Sequence, residues 1–376
     1  MRVPLFDLAA QEAPHVGEAL TAIERVAHRA AFVLGDSVDS FERWLADRCG
    51  AAHAVGVASG TDAIELTLRA LGVGPGDAVI TPALSFVAAA EAVVLAGAIP
   101  RFCDVDASTM NVSIETVADA IGRARGEGLR VRAILPVDLF GLRAPLAPLC
   151  ALAEDEGVSV VEDAAQAIGA FDALGARERA LCDAACFSFF PTKNLGAWGD
   201  GGAITTHDGE LASRLRRLRA HGCVSPYVHA EIGRNSRLDA LQAAVLLTKA
   251  PRLAGWQRAR VRLAARYTGE LGPLPIILPA APDGIAAHGW HLYVVRCERR
   301  EELAGWLSDH GIETRAYYPL PLHRQACFAP FGVTPPLPAT DEICRTALAL
   351  PLYPTLSFAQ QSHVIEHVRA FFRKGA

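Results

Sequence analysis

The sequence predicts an α/β fold, a mostly parallel sheet flanked by helices, followed by a smaller C-terminal α+β unit. Between residues 50 and 206, short β-rich apolar runs alternate with longer helical stretches, the order that builds a parallel sheet covered on both faces. After Lys249 the order changes to one long polar-faced helix, a Pro-rich crossing and a mixed set of short elements. Hydrophobic residues make up 51% of the 376 and charged residues 20%, enough for a large core and too apolar for a disordered chain. These changes of texture divide the chain into an N-terminal segment 1–34, a large unit 35–250 and a small unit 251–376.

In the N-terminal segment, Val16, Leu20, Ile23, Ala27 and Ala30 follow Pro14 at steps of four and three, the period of an amphipathic helix. AHAVGVA (52–58) is a strand, and SGTDAIELTLRALG (59–72) a helix with Ile64, Leu68 and Leu71 on one face and Gly72 as its stop. DAVITPA (77–83) and PRFCDV (100–105) are strands on either side of the helical SFVAAAEAVVLAG. VRAILPV (131–137) and VSVVEDA (158–164) are strands separated by a helix that starts near Pro145; ACFSFF and GAITT are two more. In the C-terminal unit a long helix spans 251–271, and PLPIILPAAPDG crosses over. HLYVVRC is a strand, EELAGWLSDHG a helix and IETRAYY a strand, and the terminal helix begins at Ser357 with Gln360 completing a capping box.

A net charge of -5 supplies no electrostatic reason for a nucleic-acid partner. Asp7 and Glu12 interrupt any signal-peptide core, and Ser85 and Glu91 break the most apolar stretch, Ala83 to Ile99. The nine cysteines are scattered without a C-x-x-C pair, which fits reduced thiols in a cytoplasmic protein better than a disulfide framework.

Three stretches carry chemistry. In ACFSFFPTKNLGAWGDGGAIT (185–205) a strand ends before Pro191, and Lys193 follows on a turn ringed by aromatics and glycines. Desolvation there would lower the amine's pKa and make it a nucleophile toward aldehydes; on spacing alone a surface lysine in a loop is the simpler reading, and the neighbouring stretches tip the balance. VSVVEDAAQAIG ends an apolar strand in Glu162-Asp163, and acids at strand ends face the ligand crevice of α/β proteins. Such a carboxylate can keep a pyridinium nitrogen protonated, or can simply cap the next helix. Ser59-Gly60-Thr61-Asp62 joins a strand to a helix, where free N–H groups form a phosphate site, though it matches neither a Walker loop nor a dinucleotide fingerprint. A phosphate cradle, a strand-end acid and a turn lysine, in that order, form the layout of a pyridoxal-phosphate enzyme.

With these residues the chain resembles the DegT-type nucleotide-sugar aminotransferases of the aspartate aminotransferase fold group. The resemblance runs through VPLFDL, FVLGDSVDSFE, SGTDAIELTLRALGVGPGD, VEDAAQAIGA, FSFFPTKNLGAWGDGGA, IGRNSRLDALQAA, YYPLPLH and LALPLYP, nearly the whole chain. It implies pyridoxal 5′-phosphate as cofactor. Lys193 would form the internal Schiff base and move protons, Asp163 would pair with the pyridine nitrogen, and Gln166 would lie by the phenolic oxygen. Gly60, Thr61 and Ser188 would hold the phosphate and Phe86 would stack on the ring. Asn235 matches the position that reaches the neighbouring subunit's cofactor phosphate, which implies a homodimer with shared sites. The stretches IGRNSRLDALQAA and YYPLPLHRQACF are most similar to the branch that aminates 3-keto nucleotide sugars, with glutamate as the implied amino donor. By that likeness Tyr317, Tyr318 and His323 are candidates for the sugar pocket, with Arg237 contributing from the partner chain. Phe190 departs from the Tyr common in this branch, and Ala78 replaces a common acid.

A 4-keto-sugar aminotransferase is the alternative within the family, and a cofactor-binding regulatory protein without turnover the alternative of another class. Lys193 argues against the related dehydratases, which carry His there. His363, Glu366 and His367 match H-x-x-E-H but lie on a polar terminal helix without a third ligand, so no metal is expected. His288 and His291, flanking Trp290, read as structural histidines.

Overall fold

The computed structural model describes residues 1–170 and 180–374. Helices α1 (Leu8–Glu12), α2 (Val16–Arg29) and α3 (Asp36–Cys49) lead into strand β1 (His53–Val57) and helix α4 (Gly60–Ala70). Strand β2 (Asp77–Pro82), helix α5 (Ala88–Leu95), strand β3 (Ile99–Cys103), helix α6 (Ile114–Gly126), strand β4 (Arg130–Ile134) and helix α7 (Leu146–Glu156) continue the alternation. Strands β5 (Ser159–Asp163), β6 (Ala184–Ser188) and β7 (Gly202–Thr206) and helix α8 (Gly209–Leu218) complete it.

The strands form one seven-stranded sheet in the order β1-β7-β6-β5-β4-β2-β3. The pairs β2–β3, β2–β4, β4–β5 and β5–β6 are parallel. Strand β7 is antiparallel to both its neighbours, because the chain returns from β6 without a crossover helix. Val55, Val79, Ile80, Val161 and Phe187 are fully buried, as strands covered on both faces require.

Beyond the sheet come a small hairpin, β8 (Cys223–Ser225) with β9 (Val228–His229), then α9 (Ala240–Lys249) and α10 (Leu253–Leu271). Strand β10 (Tyr293–Arg296), helices α11 (Arg300–Asp309) and α12 (Pro338–Thr346), strand β11 (Ala347–Leu350) and helix α13 (Phe358–Lys374) finish the chain. Strands β10 and β11 pair antiparallel beside a core of Tyr267, Trp290, Tyr293, Leu303 and Val364. The capping box is present: Gln360 N donates to Ser357 Oγ at 3.1 Å and Ser357 N to Gln360 Oε1 at 2.9 Å.

Three features differ from the expectations. Helix α2 buries Ala19, Ala22 and Val26, while Val16 and Leu20 of the expected face are exposed, because α9 packs on the neighbouring stripe. Helix α4 buries Ala63 through Leu68 rather than one face, since it lies between the sheet and α5. Residues 312–318 form no strand. Ile312 bridges to Val3 and Arg315 to Ala349, after which the chain turns away to bring Tyr317 and Tyr318 to a cavity. The partner of β10 is instead β11, which the sequence pattern did not single out. Among the described residues, no helix is long and apolar enough to cross a membrane.

Candidate active site

A cavity of about 600 Å³ opens at the carboxyl ends of the parallel strands, where α/β sheets bind ligands. Four strand ends deliver its walls. After β1 come Ser59, Gly60 and Thr61; after β2, Ser85 and Phe86; at the end of β5, Asp163; at the end of β6, Ser188 and then Lys193.

One end of the cavity is an anion cradle. Ser59 caps α4, its Oγ accepting the Asp62 N–H at 3.1 Å, which leaves the other first-turn N–H groups without side-chain acceptors. Backbone and hydroxyl crowd together here. A Cβ on Gly60 would stand 2.8 Å from Ser188 Cβ, and one on Gly202 would stand 2.2 Å from the Ser59 carbonyl oxygen. Only glycine allows three chain segments to meet at this spacing.

The other end holds the titratable groups. Lys193 sits on a turn closed by its N–H to the Phe190 carbonyl at 2.8 Å. The loop beyond it is fixed from behind: buried Lys249 donates to the Gly196 carbonyl at 2.6 Å and pairs with Glu12, whose Oε2 accepts Trp198 Nε1 at 2.7 Å. Burial lowers the Lys193 amine to about 8, against the opposing attraction of Asp163. Burial also raises the Asp163 carboxyl to about 6, although the Ala165 N–H and Lys193 both favour its charged form. The two groups are therefore an amine and an acid brought toward neutrality by one dry environment.

Gln166 and Tyr318 line the wall between these ends. Gln166 Oε1 accepts the Phe140 N–H at 2.6 Å and its Nε2 donates to the Tyr318 hydroxyl at 3.2 Å. The Tyr318 ring is flanked by Phe140 and Phe86, each with its centroid 6.4 Å away. Phe86 presents an open ring, 56% exposed, to the cavity. Among the described residues, the basic side chains of the lining are Lys193 and His291, and it holds no arginine.

An amine, a strand-end acid and an anion cradle thus share one cleft. The DegT/DnrJ/EryC1/StrS aminotransferase family matches residues 15–369. The chain belongs to that family.

Among relatives of this aminotransferase is dTDP-3-amino-3,4,6-trideoxy-alpha-D-glucose transaminase of Streptomyces venezuelae, 43% identical over 98% of this chain and 96% of that one. UDP-N-acetyl-3-dehydro-alpha-D-glucosamine 3-aminotransferase of Acidithiobacillus ferrooxidans is 41% identical over 98% of this chain and 97% of its own. The crystal structure of NtdA from Bacillus subtilis with bound cofactor PMP superposes with a TM-score of 0.91 at 30% identity, covering 99% of this chain and 85% of that one.

In this aminotransferase, Gly60, Thr61, Phe86, Asp163, Gln166, Ser188, Lys193, Tyr317 and Tyr318 all meet at the one cavity. Three candidates do not. His323 packs on Phe102 with centroids 6.4 Å apart, outside the lining. Asn235 and Arg237 lie away from the cavity of their own chain, and Asn235 is exposed. Other lining residues were not assigned to the site from the sequence, among them Phe6, Thr192 and Asp200, and His291 was read as structural. Phe6 lay inside the motif VPLFDL, and Thr192 and Asp200 inside FSFFPTKNLGAWGDGGA, which was the available signal. His288 is a structural histidine, stacked on Trp290 at 3.8 Å and accepting the Trp290 N–H at 2.8 Å. His291, by contrast, faces the cavity, and burial first, then Lys193 and Arg260, holds its ring well below the usual histidine range.

Proposed function

We propose that this aminotransferase uses pyridoxal phosphate to move an amino group from an amino acid, glutamate in the expected case, to the carbon-3 keto group of a nucleotide-linked hexose. The carrying observation is the cavity itself, with a depressed amine and a buried carboxyl at one end and a glycine-lined anion cradle at the other. The relatives named for 3-amino sugars supply the substrate class and the position on the ring.

The residues present fit the cofactor. The close approach of Gly60 to Ser188 sets the first-turn N–H groups of α4 beside the Ser188 hydroxyl on one wall of the cavity, a donor set that suits phosphate oxygens, and the lowered Lys193 amine suits an aldehyde. When bound, pyridoxal phosphate supplies an electron sink for the carbon that loses its proton. Gly60 and Thr61 N–H groups with the Ser188 hydroxyl would hold the phosphate, and Phe86 would cover the ring with an apolar face. Asp163 would keep the pyridine nitrogen protonated. Lys193 Nζ would take the proton from the donor's α-carbon and return one at sugar carbon 3, a general acid–base role contributing about 10²–10⁴-fold. Tyr317 and Tyr318 would meet the sugar.

A homodimer with shared sites completes the reading. A nucleoside diphosphate and a dicarboxylate donor need cations, and among the described residues this chain's lining offers no arginine and one lysine, Lys193, which the cofactor would engage. Asn235 and Arg237 would enter from a second copy. The hairpin beside them supports this, with Tyr227 97% and Ile232 85% exposed, an apolar surface that a partner would cover. The test is turnover with glutamate and a 3-keto nucleotide sugar, scored as 2-oxoglutarate formed in step with aminated sugar. Preference for a 4-keto sugar, or no turnover with either, would overturn the assignment.

A further inference from the structure

Asn235 stands between two residues held by one carboxylate. Ser236 Oγ donates to Asp62 Oδ2 at 2.7 Å, and Arg234 Nη1 lies 3.6 Å from Asp62 Oδ1. Ser236 is fully buried; its hydroxyl also accepts the Ala58 N–H at 3.2 Å, and its own N–H donates to the Arg219 carbonyl at 2.9 Å. Arg234 pairs in addition with Glu65 on the next turn of α4, and Arg69 of the same helix donates to the Ile232 carbonyl. The loop is thus fastened to α4, the helix whose first turn forms the anion cradle.

Asp62 occupies that first turn without lining the cavity. An acid there favours any helix through its dipole, but that role requires no partner on another element. Asp62 gives both oxygens to the loop, and on either side of one exposed residue. Beside a site for an anionic phosphate, a negative charge would be unhelpful unless spent elsewhere, and Arg234 takes it up.

We propose that Asp62 is a positioning residue for the other subunit's site: through Arg234 and Ser236 it sets how Asn235 and Arg237 are presented to a second copy. The proposal rests on the homodimer reading above. Asp62 damage then shows in the partner's cavity, although Asp62 belongs to the helix at its own.

The experiment is subunit mixing. Asp62→Ala dimers should retain pyridoxal phosphate about tenfold more weakly than wild type, the scale of one lost charge-assisted hydrogen bond. Mixed with Lys193→Ala chains under exchange, they form heterodimers in which the intact Lys193 belongs to the Asp62→Ala chain and the loop reaching it carries an intact Asp62. That site should recover wild-type affinity. Borohydride labelling reports its occupancy directly, because the Lys193→Ala chain has no amine to label there. Recovery of label and of turnover supports the proposal; label that stays weak after mixing means that Asp62 serves only its own cradle and overturns it. Ser236→Ala should repeat the pattern and stands in if Asp62→Ala does not fold. A parallel mixture of Lys193→Ala with Asn235→Ala separates the two ideas. Recovery there alone overturns the Asp62 role, whereas recovery in neither mixture overturns the shared-site reading and this proposal together.

Discussion

The Tyr318 hydroxyl lies 3.2 Å from Gln166 Nε2, and the far end of that amide is held by the Phe140 N–H at 2.6 Å. The amide cannot be turned around without opposing two donors, so nitrogen faces the phenol. The Tyr318 oxygen is an acceptor toward Gln166, which leaves its own proton to donate into the cavity. Burial pushes its ionisation above the ordinary tyrosine value, so it stays a phenol at working pH.

Tyr318→Phe should therefore keep the ring packing against Phe140 and Phe86 and lose one donor. The expected outcome is a fall of about tenfold in kcat/KM for the keto sugar, with the glutamate half-reaction unchanged. Single-turnover absorbance measurements on each half-reaction check this. Equal slowing of both would place the hydroxyl on the cofactor instead of the sugar.

The titration of Lys193 has a defined direction. In cofactor-free protein its amine is the free base only above about 8, so the rate of pyridoxal phosphate loading should rise with pH through that value and then level off. Asp163 favours the ammonium form, so Asp163→Asn should move the midpoint lower while cutting kcat on the order of a hundredfold. The raised Asp163 carboxyl also affects stability: the unfolded chain releases this proton first, so the cofactor-free fold loses stability as pH climbs from 3.8 to about 6. Thermal unfolding across that range, with Asp163→Asn as the control that flattens it, measures the effect.

A methyl group at Gly60 would meet Ser188 Cβ at 2.8 Å. Alanine favours a helix over glycine, so Gly60→Ala should leave α4 formed. The cost falls on the cradle, where Ser188 must move from its place. Pyridoxal phosphate affinity should drop at least about tenfold while Tm of the cofactor-free protein changes little, a split that equilibrium dialysis and calorimetry resolve.

Inactive Lys193→Ala and inactive Asn235→Ala chains, allowed to exchange, should regain activity together. Each heterodimer holds one cavity with Lys193 in place and an Asn235 arriving from the partner, so about a quarter of all sites in an equal mixture are repaired. Were Asn235 to act within its own chain, every site would keep a lesion and mixing would restore nothing.

Much of the cavity was legible because its residues hang on strand ends. Asp163 closes an apolar run, Lys193 follows a run stopped by Pro191, and Gly60 opens a helix behind a strand; each signal needs only a few neighbouring residues. His291 was named and read as structural, since an isolated histidine before a strand carries no mark of the side it faces. Phe6 lay in a segment whose destination no local pattern states. Its neighbour Val3 bonds to residues 311 and 313, more than three hundred positions away.

By itself the sequence determined the alternation of elements, the parallel sheet they imply and the chemistry carried on the strand ends, because periodicity and stop residues act over one or two turns. The tertiary structure decided what those elements face. It chose Ala19, Ala22 and Val26 over the Val16–Leu20 stripe, drew Tyr317 and Tyr318 out of an expected strand, and left Asn235 exposed between two residues anchored to Asp62. The physical reason is common to all three. A residue's buried side is set by whichever element packs against it, and that partner comes from a distant part of the chain.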